Sequence, residues 1–208
     1  MRVIISILIA RASAQILGVI LSLRLKKLGI LISGRGSNMV QIIKETQTGL
    51  LKDLANVGVV ISNKPKAQGF FEAQKLGVTT QVAKSEDELI SCLNQHSIDW
   101  VVLAGFMKIL SPRFVRHYEG KILNIHPADT KLHQGLHAYR WAYESKRPET
   151  SITVHLVDSG IDTGPVIKQA SVDLRGASSL EEVEKRGLVV EHQIYSRAIR
   201  EMLTKGGS

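Results

Sequence analysis

The chain has 208 residues, the size of one domain with a short appendage, and enough to hide roughly 70% of its unfolded surface in a core. Hydrophobic residues make up 44% and charged residues 22%, a balance that excludes disorder, collagen and coiled coil. The one cysteine, Cys92, excludes an intramolecular disulfide and a multi-cysteine zinc site and suits a reducing, cytoplasmic compartment.

The net charge of +8 is unevenly spread. Residues 1–44 carry seven Lys/Arg and no acid, which leaves 20 basic against 19 acidic side chains in residues 45–208. The body is therefore close to neutral. With aromatics at 5%, it lacks the basic stripe and stacking rings that a nucleic-acid binder uses.

Residues 1–27 differ in kind from the rest. The run Val3–Ala10 is eight residues long, far short of the ~20 that span a bilayer, so no membrane association is expected. Ala12-Ser13-Ala14 imitates a signal-peptidase site and the absence of acids imitates a transit peptide. An upstream start, with the working protein opening near Arg24, is the favoured alternative. The stretch is set aside as an N-terminal extension, and residues 28–203 are taken as the one functional domain.

In the body, Leu28–Ser33 predicts a buried strand. Gly34-Arg35-Gly36 turns, and Ser37 or Asn38 caps a helix to about Gly49. Asn56–Ser62 predicts a second strand. Pro65 opens a helix to Leu76 that Gly77 stops. Val78–Val82 predicts a third strand, and Ser85, with acids behind it, caps a helix to about His96. Asp99–Ala104, apolar on both faces, predicts an interior parallel strand. Ser111-Pro112 starts a short helix. Lys121–Ile125 is a fifth strand, residues 127–136 a loop, and Leu136–Ser145 a helix. Ser151–Val157 alternates as a half-buried strand, Pro165–Val172 is the last strand, and Ser178–Met202 contains a long amphipathic helix.

Strand–helix alternation predicts a single-domain α/β fold: a doubly wound, mostly parallel, Rossmann-like sheet with antiparallel strands toward the C-terminus. Ligands of such sheets bind beyond the carboxyl ends of the strands, so chemistry is sought there. Gly34-Arg35-Gly36-Ser37-Asn38 follows the first strand. Glycines let backbone amides approach an anion and a helix start supplies free N–H groups, as in a phosphate cradle. The same residues also suit a plain strand-to-helix turn. A dinucleotide fingerprint needs a third glycine and an acid after the second strand; Ser62-Asn63-Lys64 supplies none.

Asn124-Ile125-His126-Pro127 ends the fifth strand. Residues i and i+2 of a strand point to one side, so the Asn124 amide and His126 imidazole emerge together. A polar pair there is costly unless it is bound or satisfied. Gly160-Ile161-Asp162-Thr163-Gly164 is a glycine-flanked turn presenting one carboxylate, which would raise and orient a facing histidine, although such turns are also ordinary chain reversals. His126, His133 and His137 invite a metal, but 133 and 137 straddle a loop-to-helix boundary and have no cysteine partner, so none is expected. His155 is read as packing, His96, His117 and His192 as surface or helix residues, and Cys92 as core.

Together the segments ILISGRGSN (30–38), VVLAGFMKILSP (101–112), ILNIHP (122–127), GLHAYRWAYE (135–144), TVHLVDSGIDTGPVI (153–167) and VEHQIYS (190–196) resemble the folate-dependent phosphoribosylglycinamide formyltransferases. The resemblance spans about residues 28–200. It implies formyl transfer from 10-formyltetrahydrofolate to the glycinamide amine, in purine synthesis, with small-molecule partners, no metal, and a monomer or homodimer. It further implies Asn124, His126 and Asp162 as the catalytic trio, and Gly36, Ser37 and Asn38 on the substrate phosphate. Leu188, Val189, Val190 and Glu191 would lie by the substrate. Met107, Lys108, Ile109 and Leu110 would line the folate pocket, their backbone groups contacting the pterin, with Asn124, Asp158, Ser159, Gly160, Ile161 and Asp162 wrapping the folate. The alternatives are a formyltetrahydrofolate hydrolase or a transferase acting on another amine. Two departures stand out. Ala128-Asp129-Thr130-Lys131 replaces the Ser-Leu-Leu-Pro common after His-Pro, and Gln81–Ser91 lacks an arginine for the folate side, for which Lys84 is the candidate substitute.

Overall fold

A computed structural model describes residues 24–205; the readings made for residues 1–23 lie outside the described residues. Seven strands form one sheet: β1 (Lys26–Ile32), β2 (Ala55–Ser62), β3 (Thr80–Val82), β4 (Trp100–Leu103), β5 (Ile122–His126), β6 (Glu149–Leu156) and β7 (Val166–Asp173). Six helices connect them: α1 (Ser37–Thr48), α2 (Gln68–Lys75), α3 (Glu86–Gln95), α4 (Pro112–His117), α5 (Ala138–Glu144) and α6 (Leu180–Lys205). The sheet order is β3-β2-β1-β4-β5-β6-β7. The first five strands pair parallel, and β6 and β7 pair antiparallel. The mixed α/β architecture expected from the sequence is the one observed.

Strand alternation builds two cores. Leu28, Ile30 and Ile32 point to the face covered by Met39, Ile42 and Ile43 of α1 and by Ile194, Ala198 and Ile199 of α6. Leu31 points to the opposite face, against Leu89 and Leu93 of α3 and Phe114 of α4. Burial on both faces is why β1 and β4 read as continuous apolar runs.

Element ends differ from expectation by a few residues. β1 begins at Lys26, whose amide reaches the Leu54 carbonyl at 2.9 Å. α1 is not capped by Ser37 or Asn38: its N-cap is Gly36, left-handed at φ 73°, with no side-chain cap bond. α2 starts at Gln68 because residues after Pro65 first make a turn, closed by Ala67 N–H on the Lys64 carbonyl at 3.1 Å. Ser85 and Ser111 cap α3 and α4 as the sequence predicts.

β1 neighbours β2 on one side and β4 on the other, so strand order reverses there. The loops after β1 and β4 meet at the resulting crevice. Ser33 N–H donates to the Gly105 carbonyl at 3.0 Å, and the Ser33 hydroxyl accepts from the Met107 amide at 2.8 Å. The conserved geometry of such sheets places ligands at this switch point.

Candidate active site

Asp162 is the hub. Its backbone is left-handed, φ 53°, a conformation Asp tolerates better than most residues. The turn bearing it is tied by Asp158, whose Oδ1 accepts from the Gly160 amide at 3.0 Å and the Thr163 hydroxyl at 2.7 Å. Gly164 runs so close to the Leu156 carbonyl that a Cβ would collide with backbone. The tight return aims the carboxylate across β5.

Both Asp162 oxygens are engaged. Oδ1 accepts from Asn124 Nδ2 at 3.1 Å and faces His155 Nε2 at 3.3 Å. Oδ2 accepts from the Gly135 amide at 2.8 Å and faces His126 Nδ1 at 3.4 Å. The trio anticipated from sequence therefore converges, and the i, i+2 spacing puts Asn124 and His126 on one side as expected. The desolvation cost of that polar strand end is met internally, each donor finding an acceptor.

His155, read from the sequence as packing, belongs to this cluster. It is 2% exposed and pairs with Asn124 across the β5–β6 ladder, with Asn124 Nδ2 3.2 Å from its Nε2. Its Nδ1 faces the Leu156 carbonyl at 2.8 Å. His126 Nε2 meets the His133 carbonyl at 3.0 Å, and the two rings stack 6.0 Å apart at 9°.

Burial lowers the His126 pKa below its ordinary 6.5, outweighing the opposite pull of the Asp162 carboxylate. The expectation that Asp162 raises this histidine is thus reversed by desolvation. Burial pushes the Asp162 carboxyl up, but the bonds from His155 and the Gly135 amide and the nearby histidines prevail and hold it at about 2.

A second polar cluster lies where α1, α5 and α6 meet. Glu191, 6% exposed, accepts from the Asn38 amide at Oε2 and from the Tyr139 hydroxyl at Oε1. Asn38 is 7% exposed and turned to Glu191, so the side-chain donor offered to a phosphate by the sequence is already committed. The backbone N–H groups of Gly36, Ser37 and Asn38 at the α1 start are what the cradle has to offer an anion. Leu188, Val189 and Val190 occupy the same turn of α6, but Val189 faces outward at 55% exposure. Tyr139 was not singled out by sequence; no local pattern distinguishes it from the other aromatics of α5.

The loop after β4 exposes Met107, Lys108 and Ile109, with Ile109 at 74%. The Leu110 side chain packs with Leu89 and Phe114 in the core, so only its backbone is left for the folate contact expected of this segment. Lys84 holds Lys108 through its backbone, its carbonyl accepting from Lys108 Nζ at 3.0 Å. Ser159, Gly160 and Ile161 are exposed on the tip of the Asp162 turn. The altered loop is compact: the Asp129 carbonyl accepts from the Leu132 and His133 amides at 2.9 and 3.0 Å, and the Thr153 hydroxyl pins the Ala128 carbonyl at 2.7 Å. His133 and His137 belong to no group of three or more His, Cys, Asp or Glu side chains that could hold a metal ion among the described residues.

A buried Asn–His–Asp constellation at the end of a parallel strand, beside a glycine-lined helix start, suits acyl transfer without a covalent nucleophile. Comparisons with known proteins agree. The formyl transferase family matches residues 26–199. The phosphoribosylglycinamide formyltransferase of Escherichia coli (strain K12) is 41% identical over 179 residues, 82% of this chain and 84% of that one. That of Haemophilus influenzae is 37% identical over 185 residues, 85% and 86% of the two chains. The crystal structure of the Anaplasma phagocytophilum phosphoribosylglycinamide formyltransferase superposes with a TM-score of 0.82 at 34% identity, covering 86% of this chain and 87% of that one. The chain belongs to the formyl transferase family, among the phosphoribosylglycinamide formyltransferases.

Proposed function

We propose that the chain transfers the formyl group of 10-formyltetrahydrofolate to the amine of 5-phosphoribosylglycinamide. The products are formylglycinamide ribonucleotide and tetrahydrofolate. The observation that carries this is Asp162 contacting both Asn124 and His126 at 3.1 and 3.4 Å. In this reading residues 28–203, with Lys26 and Lys27 added as the first residues of β1, form the catalytic domain, acting in the cytoplasm on small molecules, as a monomer or homodimer.

The amine nitrogen attacks the formyl carbon, and negative charge gathers on the formyl oxygen. The Asn124 amide and a His126 ring N–H donate to that oxygen once they exchange their present acceptors for it. Collapse breaks the bond to the folate nitrogen, and the proton lost by the amine is gained by that nitrogen. Asp162, ionised down to about pH 2, orients His126 and favours its charged form as the proton moves. The backbone at Gly36, Ser37 and Asn38 would hold the substrate phosphate, and Leu188–Glu191 would flank the nucleotide. Exposed Met107 and Ile109, the backbone of Lys108 and Leu110, and residues 158–162 would receive the folate.

The test is tetrahydrofolate release from 10-formyltetrahydrofolate with and without the nucleotide. Release that depends on the nucleotide is the expected result. Release without it means a hydrolase, and release only with a different amine means another acceptor; either outcome overturns the assignment.

A further inference from the structure

Glu191 is a buried carboxylate held by neutral donors. The Asn38 amide takes one oxygen and the Tyr139 hydroxyl the other, and no lysine, arginine or histidine pairs with it among the described residues. A carboxylate offers about four lone-pair sites, so two neutral bonds leave both its charge and half its capacity unspent. An orphan negative charge costs free energy when buried. A site arranged this way suits a cationic or multiply hydroxylated ligand.

The route by which Tyr139 reaches Glu191 is built into α6. Gly187 is one turn before Glu191 on the same helix, and a Cβ there would fall inside the Tyr139 ring and hydroxyl. Glycine is among the poorest residues for a helix interior, and Gly187 is buried inside a 26-residue helix, about two turns from its start. Its missing side chain is the slot that admits the tyrosine. Burial and the facing Glu191 push the Tyr139 hydroxyl far above its ordinary value, so it remains a donor at every working pH.

We infer that Tyr139 is a positioning residue of the transferase: seated in the Gly187 slot, it fixes the Glu191 carboxylate in the orientation that receives the amine or ribose end of the nucleotide. The inference rests on the reading proposed above. It places specificity for the acceptor in α5 as well as α6, and makes Gly187 part of the same device.

The experiment measures nucleotide KM, folate KM, kcat and nucleotide Kd by calorimetry for wild type, Tyr139→Phe, Gly187→Ala, Glu191→Gln and the Tyr139→Phe/Glu191→Gln double variant. Losing a hydrogen bond to a charged group predicts a nucleotide KM and Kd raised roughly tenfold or more in Tyr139→Phe, with folate KM unchanged. Gly187→Ala is expected to do the same although alanine favours the helix. In the Glu191→Gln background, Tyr139→Phe adds little, because its partner is gone. A wild type that binds and turns over the nucleotide, with Tyr139→Phe and Gly187→Ala matching its KM, overturns the positioning role alone. Full additivity with Glu191→Gln overturns it too. A wild type that neither binds nor uses the nucleotide overturns the functional reading and this inference with it.

Discussion

The Nε2 atom of His126 lies 3.0 Å from the carbonyl oxygen of His133. With Asp162 at Nδ1, neither ring nitrogen is free, so the segment from residue 127 to 136 closes over the imidazole edge that the proposed mechanism turns to the formyl oxygen. The His133 ring bridges His126 to Trp141, with 4.9 Å between the latter pair of rings, and Arg147 packs on the indole at 5.0 Å. In the proposed mechanism, productive binding is expected to displace the His133 carbonyl and disturb Trp141. Titration with 10-formyltetrahydrofolate is expected to change indole emission saturably, and Trp141→Phe to abolish that change. Saturable binding by calorimetry with constant emission would show that the loop stays where it is.

Removing His126 should act on turnover more than on nucleotide binding, because the proposed phosphate cradle lies on α1. Loss of one oxyanion donor costs about 100–1,000-fold in rate. His126→Ala is expected to lose turnover on that scale while keeping nucleotide Kd. Wild-type turnover in this variant would sink the catalytic assignment.

The pH dependence of stability has a defined sign. His126 is depressed below 6.5 by burial against the pull of Asp162, so below pH 6.5 the unfolded chain binds more protons at this residue than the folded one. Stability therefore falls as pH drops below about 6.5 and continues to fall until the folded pKa is passed. His192, also lowered by burial, adds a change of the same sign. Asp162, lowered to about 2, contributes stability that is present above its unfolded value and lost only as pH falls toward 2. Between pH 5 and 6.5 it is constant. Melting temperatures measured from pH 7.5 to 5 should fall, and less steeply in His126→Gln. Equal slopes in the two proteins would mean that His126 protonates freely in the fold.

What sequence could reveal was chemistry carried by local geometry. Asn124 and His126 were legible because strand periodicity alone puts i and i+2 on one side, and Asp162 because glycines bracket it. His155 was not: only the antiparallel register, which sets it opposite Asn124, turns an ordinary alternating strand residue into a partner of Asp162. Tyr139 and Glu191 lie 52 positions apart, and their contact needs both a helix crossing and the gap at Gly187. The direction of the Leu110 side chain, into the core beside Leu89 and Phe114, depends on what packs behind its loop. The His126 pKa likewise turned on burial, which neighbours in sequence do not disclose.

Tyr195 separates stability from chemistry. It sits one turn after Glu191 on α6, is 1% exposed, and its hydroxyl reaches the carbonyls of Leu103 in β4 at 2.8 Å and Leu123 in β5 at 3.0 Å. One O–H shared between two buried carbonyls fastens α6 to the centre of the sheet beneath the site. Phenylalanine fills the same volume and strands both acceptors without a donor from the side chain. Leaving such groups unsatisfied costs about 1–3 kcal/mol, which for a domain of this size lowers Tm by roughly 2–12 °C. Tyr195→Phe is expected to show that loss in a thermal melt while nucleotide KM and kcat, measured well below the lowered Tm, remain close to wild type. An unchanged Tm would mean that the two carbonyls are satisfied without the hydroxyl. A raised nucleotide KM at full stability would instead place Tyr195 in the Glu191 cluster, since the two residues share one face of the same helix.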